Sequence, residues 1–218
     1  MKERRIRSRL LALVAVLTLG GLWGCEREAA VEDDGAGLEG GELVFSDDFS
    51  EGLGDHWSTG FDGWEVADGV LTVEGARNDA LWLQHPLPEQ FRVSFTARSD
   101  SEEGDLKFEI AGDGATHESG YVGIFGGWNN RLNIIARLDE HGDDRHVGAA
   151  GQTVEPGRTY QMDVVRTDHR LRWYVDGELF LVYDDPEPLR GEGHGHFGFN
   201  NWNSPVTFGE FQVFDVGR

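Results

Sequence analysis

Apolar and polar positions alternate with a period of two through most of the chain from Glu42 onward. In "FRVSFTARS", Phe91, Val93, Phe95 and Ala97 fall on one face, and Arg92, Ser94, Thr96 and Arg98 on the other. "DLKFEIAG" repeats the pattern with Leu106, Phe108 and Ile110, and "TYQMDVVRT" with Tyr160, Met162 and Val164. This period marks β-strands with one buried face, because successive side chains of a strand point to opposite sides of a sheet. "WEVADGVLTVEG" and "HRLRWYVDGELFLVYDD" read as hairpins closed by Asp68-Gly69 and Asp176-Gly177. Such pairs suit the positive φ that two-residue hairpin turns demand. "HGHFGFN" and "VTFGEFQVFDV" supply closing strands, and no capped amphipathic helix of three turns stands out. Roughly a dozen strands at this spacing predict an all-β chain of two packed antiparallel sheets.

The first 41 residues follow another pattern. "MKERRIRSRL" is basic, "LLALVAVLTL" is an apolar run short for a bilayer span, and Cys25, the sole cysteine, follows small residues and Trp23. This arrangement resembles a bacterial lipoprotein signal, from which Trp23 departs because a small residue is usual there. The resemblance implies cleavage after residue 24, lipidation of Cys25 and a lipid-anchored place in the cell envelope. With Glu26 rather than aspartate next, it implies the outer membrane in a Gram-negative host. Removing residues 1–24 takes five bases and one acid, so the formal charge falls from −21 to −25. Residues 25–41 are acidic and rich in glycine and alanine, which predicts a flexible tether, and the folded domain spans 42–218. An intramolecular disulfide is excluded by the single cysteine.

Acids outnumber bases 40 to 19, so the mean field of the chain repels phosphate backbones and excludes nucleic acid as a partner class. The order of elements narrows the fold further. "LVFSDDFSEGL", the "GWEVADGVLTVEG" and "LRWYVDGELF" hairpins and the final "PVTFGEFQVFDV" strand together resemble the concanavalin A-like lectin/glucanase superfamily over nearly all of residues 42–218. That resemblance implies a jelly-roll sandwich in which first and last strands pair and one concave sheet binds or cleaves glycans. It also implies a structural calcium, for which Asp47, Asp48 and Asp215 are the carboxylates at hand.

The glucanase branch carries two glutamates with an aspartate between them on one strand. Here "EGDLKFE" offers Glu103, Asp105 and Glu109, with Lys107 interrupting, so the motif is not intact and the face reads as a solvated one. Glu103 and Glu109 are also about 20 Å apart along an extended strand, beyond the roughly 5–10 Å that glycosidase carboxyls need. "HGHFGFN" puts His194 and His196 on one face at a metal-compatible spacing, without an assignable third ligand.

"IFGGWNN" and "GFNNWNSP" each set one tryptophan among glycines and asparagines. Indoles stack on the C–H faces of sugars, and amides donate to and accept from hydroxyls. Trp128, Asn129, Asn130, Asn201, Trp202 and Asn203 are therefore expected to bind ligand. Arg137, Glu140 and His141, from the charged "IARLDEHGDDRH" segment, are expected as polar partners. The expected function is non-catalytic binding of a glycan or polysaccharide by an envelope domain held to the membrane through its lipid alone. The alternatives are an atypical glycoside hydrolase or lyase using Glu140 and His141, or a laminin G-like module with an envelope protein partner.

Overall fold

The computed structural model describes residues 35–148 and 151–217; Cys25, the signal segment and most of the predicted tether lie outside them. With strands numbered in chain order, one sheet runs β13 (Glu178–Asp184), β12 (Arg170–Val175), β11 (Thr159–Thr167), β6 (Phe91–Ser99), β15 (Val206–Asp215), β4 (Val70–Val73), β3 (Glu65–Ala67). β1 (Glu42–Asp47) pairs with the second half of β15, beside β4 on the first half, so first and last strands do meet. The other sheet runs β10 (His146–Val147), β9 (Leu132–Arg137), β8 (Tyr121–Gly126), β7 (Leu106–Gly112), β14 (His196–Asn200), β5 (Leu81–Leu83), β2 (Trp57–Ser58). All pairings are antiparallel.

The alternation decides what lies between the sheets. Phe91, Val93, Phe95 and Ala97 of β6 meet Leu106, Phe108 and Ile110 of β7 and Phe197 and Phe199 of β14 in one core. Phe95 stands edge-on to Phe108 and Phe199, with ring centroids 5.8 and 5.4 Å apart, within the range of favourable aromatic pairs. At Gly123 a Cβ would lie 2.2 Å from the Phe108 ring, so the glycine is what admits that ring. Both Asp-Gly turns have the expected left-handed backbone, φ 52° and 75° at Asp68-Gly69 and 52° and 77° at Asp176-Gly177. Residues 35–41, which composition assigns to the tether, run along the domain as a turn half-buried at 35–38 and exposed at 39–41. Leu38 donates to the Gly35 carbonyl at 3.1 Å, and Arg92 donates to that of Gly40 at 3.3 Å.

The predicted calcium carboxylates do not converge. Asp47 pairs across with Phe211 and Asp215 with Glu42, which separates them by about 13 Å of strand. The Asp47 carboxylate engages Phe49 N–H (2.7 Å), His56 (2.7 Å) and Trp57 Nε1–H (2.8 Å), while Asp48 accepts from Ser50 N–H (3.0 Å) at the surface. Asp215 accepts from Gly217 N–H (3.0 Å). The strand pairing that the resemblance implied is present, but its register keeps Asp215 away from Asp47 and Asp48.

Candidate functional site

Residues of β7, β8, β9 and β14 that point away from the core form two rows on the outer face of the seven-stranded sheet. Asn200, Lys107, Ile124 and Ile134 stand side by side, as do Gly198, Glu109, Val122 and Ala136. Half of this face is apolar, with Val122, Ile124, Ile134 and Ala136 buried together and Trp128 and Leu132 packed on them. The other half is polar and equally buried, with Lys107 2% exposed and Glu109 fully buried. The alternation places Lys107 and Glu109 correctly, but the expected solvated face is covered by loops.

A groove of about 680 Å³ opens at one end of this face. Trp128 and Trp202 both line it, with Asn129, Asn203, Asp105, Lys107, Glu140 and His141. Trp128 sits in a short turn, Gly127–Asn130, whose backbone is left-handed at Trp128 (φ 52°, ψ 54°) and Asn129 (φ 60°, ψ 52°) and whose Asn130 also has φ 59°. Arg131 N–H closes it on the Gly127 carbonyl at 2.9 Å. Left-handed backbone costs an ordinary L-residue about 1–2 kcal/mol and asparagine less, which accounts for the two asparagines. Trp128 bears that cost and is held by its neighbours: the His141 ring stands edge-on at 5.5 Å and the Arg145 guanidinium lies 5.3 Å from the indole.

Trp202 lies on the opposite loop, 54% exposed. Its N–H donates to Asp105 Oδ2 at 3.0 Å, and its carbonyl accepts from Arg77 N–H at 2.9 Å. Burial pushes the Asp105 carboxyl above the usual carboxylate range, against the opposing pull of the Trp202 N–H and Lys107. Lys107 Nζ donates to Glu140 Oε2 and to Asn78 Oδ1 (2.7 Å), forming a buried ion pair in the groove wall. Removing either partner would strand an uncompensated charge.

The structure divides the sequence-predicted residues. Trp128, Asn129, Glu140, His141, Trp202 and Asn203 line the groove. Asn130, Asn201 and Arg137 do not, and each is engaged elsewhere. Asn130 accepts from Val154 N–H (2.8 Å) and donates to the Val154 (2.7 Å) and Glu102 (3.2 Å) carbonyls. Fully buried Asn201 accepts from Ala76 N–H (3.2 Å) and donates to Ser204 O (2.7 Å). Arg137 pairs with Asp185 at 2.9 Å and reaches the Glu187 carbonyl. These two asparagines shape the loops that present the tryptophans. His196 is likewise engaged within the scaffold, its Nδ1 donating to the Leu83 carbonyl at 2.8 Å.

Sequence reasoning missed Asn78, Lys107 as the partner of Glu140, and the His117–Glu118 pair. His117 Nδ1 lies 2.7 Å from Glu109 Oε1, Glu118 N–H donates to Glu109 Oε2 at 2.9 Å, and Glu140 N–H donates to Glu118 Oε1 at 2.7 Å. The only available signal was a histidine in the turn-rich "GDGATHESG" between two strands.

No protein-family model matches the chain. The extracellular exo-alpha-L-arabinofuranosidase of Streptomyces chartreusis is 26% identical over 148 residues, 68% of this chain, and the chain spans only 18% of that relative's length. The carbohydrate binding module CBM66 from Bacillus subtilis matches with a TM-score of 0.60 at 15% identity, over 73% of this chain and 96% of the module. SCLam, a non-specific endo-beta-1,3(4)-glucanase from family GH16, matches with a TM-score of 0.59 at 13% identity, over 80% of this chain and 91% of its own. The fold is that of the concanavalin A-like jelly roll, which a binding module and a hydrolase share here.

Proposed function

We propose that this domain binds carbohydrate without cleaving it, in the groove between Trp128 and Trp202, and is held at the cell envelope by lipid on Cys25. One observation carries the binding reading: two indoles from loops more than seventy residues apart line a single groove, each beside an asparagine. The stacking surface and the amides match the two kinds of surface a sugar ring presents. The names of the module and the arabinofuranosidase support a glycan as the ligand class. The lipid anchor rests on the sequence around Cys25 alone.

Hydrolysis is the second reading, and one arrangement favours it. Asp105, with its raised carboxyl, lines the same groove as Glu140 and His141, an arrangement compatible with an acid and a second carboxylate around a glycosidic bond. Against it, Glu140 is already paired with Lys107. A single panel of neutral polysaccharides tests both. Retardation of the full chain in polysaccharide-containing gels should disappear in Trp128→Ala plus Trp202→Ala, and no reducing ends should be released. Retardation that survives the double substitution refutes the groove as the site. Sugar release that Asp105→Asn abolishes replaces binding with hydrolysis.

A further inference from the structure

Beside the groove, three metal-ligating side chains meet with their donor atoms turned toward one point. His117 Nε2 lies 3.9 Å from Glu118 Oε1 and 3.9 Å from Glu140 Oε2, and the three donors all fall within 4.8 Å of one another. Surface acids often cluster by chance, but this group has a feature that chance does not supply. Fully buried Glu109 takes the other nitrogen of the same imidazole, Nδ1, at 2.7 Å. An ionised carboxylate only accepts, so it fixes the proton on Nδ1 and leaves the Nε2 lone pair facing Glu118 and Glu140. Histidines that bind metal are held in this way by an outer carboxylate. Glu109 is itself fixed by Glu118 N–H and Asn200 Nδ2, so the imidazole is oriented by a rigid base.

We propose that His117, Glu118 and Glu140 bind one divalent transition-metal cation, with Zn2+ the ion they fit best. One imidazole and two carboxylates make a mixed nitrogen and oxygen set, poor for calcium, which takes six to eight oxygens, and suited to zinc with a fourth position open. Zinc bonds of about 2.0–2.1 Å put tetrahedral donors roughly 3.3–3.4 Å apart. The two His117 distances of 3.9 Å are about 0.5 Å longer than that, and the two carboxylates lie within 4.8 Å of each other, so binding draws together two loops that already touch through the Glu140 N–H. The His117 and Glu118 side chains are 21% and 29% exposed, so an ion can reach them from solvent. Lys107 is the competitor, since its ammonium occupies a lone pair of Glu140 Oε2. A carboxylate has four such sites, so Glu140 bridges ammonium and cation, and Lys107 lowers the affinity without closing the site.

Calorimetric titration of the full chain with ZnCl2 tests this independently of any glycan. One ion per chain is expected, with binding lost in His117→Ala, weakened at least tenfold in Glu118→Gln, and weakened about 10–100-fold in Glu109→Gln, which alters only the outer carboxylate. Lys107→Met should bind more tightly than the native chain. Trp128→Ala plus Trp202→Ala should bind zinc normally, which separates zinc binding from stacking on the tryptophans even though Glu140 lines both sites. Circular dichroism identifies any variant that fails to fold, and Glu118→Gln, on a partly exposed loop, keeps the test open if His117→Ala does. No stoichiometric zinc binding, or binding that His117→Ala and Glu118→Gln leave unchanged, overturns the proposal.

Discussion

Asn130 is the residue whose role the structure reverses most sharply, and its replacement gives a quantitative test. In Asn130→Ala the clasp to Val154 loses two half-buried hydrogen bonds at 2.8 and 2.7 Å, and the exposed one to the Glu102 carbonyl at 3.2 Å disappears. Net values of about 1 kcal/mol for each half-buried bond and about 0.5 for the exposed one give roughly 2.5 kcal/mol. Alanine must also adopt φ near 59°, which adds about 0.5–1 kcal/mol relative to asparagine. The expected destabilisation is therefore about 3 kcal/mol. With a urea m-value of about 2–3 kcal/mol/M for a domain of this size, the unfolding midpoint should fall by about 1–1.5 M at unchanged m. Asn130→Asp keeps the left-handed tolerance and the acceptor for Val154 N–H but turns a carboxylate oxygen onto the Val154 and Glu102 carbonyls, so it should be destabilised at least as much as alanine. A midpoint within about 0.3 M of native for Asn130→Ala, with polysaccharide retardation lost, would refute the reasoning and return Asn130 to the ligand.

Two further expectations follow from the same geometry. The Asp105 carboxyl is raised by burial, so its protonated form favours the fold. Its contribution is fully present below the unfolded value of about 3.9 and is lost as pH rises through the raised folded value. Replacing the carboxyl by an uncharged amide keeps an acceptor for Trp202 N–H, so Asp105→Asn should melt higher than native at pH 7, with the gap closing by pH 3; a gap that widens on acidification contradicts this. Tyr121→Phe removes a hydroxyl that donates to Asp185 (2.7 Å) and accepts from Leu189 N–H (3.0 Å) in a buried corner. A loss of about 1–3 kcal/mol in urea unfolding is expected, because the buried Leu189 N–H is left without a partner, while Asp185 keeps Arg137 (2.9 Å) and Glu187 N–H (2.8 Å).

What was legible in the sequence follows the range of the interactions involved. Alternation fixed the core face of β6, β7 and β11, since a period of two leaves no other side for Phe95, Phe108 or Met162. Asp68-Gly69 and Asp176-Gly177 were legible because a tight turn is decided by its own residues. The placing of Trp128 and Trp202 on one groove was suggested by composition, yet composition cannot separate Asn129, which faces the groove, from Asn130, which turns into the scaffold. Their difference lies in which way a left-handed turn aims each amide. Lys107 with Glu140 and His117 with Glu109 were illegible for another reason. Each joins a strand to a loop folded back over the sheet, and no local pattern encodes where a loop lands. The meeting of Asp47 and Asp215 was illegible because it hangs on register, which sets Asp215 opposite Glu42 instead of Asp47.

The long strand β15 has a consequence for how the protein is mounted. Trp202 precedes its first residue, Val206, whereas Glu42 pairs with its last, Asp215, nine residues and about 30 Å further on. Residues 35–41 stay near that far end, where a Cβ on Gly37 would touch Val165 and Val216. The chain therefore enters the domain at the pole opposite the groove. β15 is thus a spacer, holding Trp202 a strand's length away from the point at which the chain joins the fold.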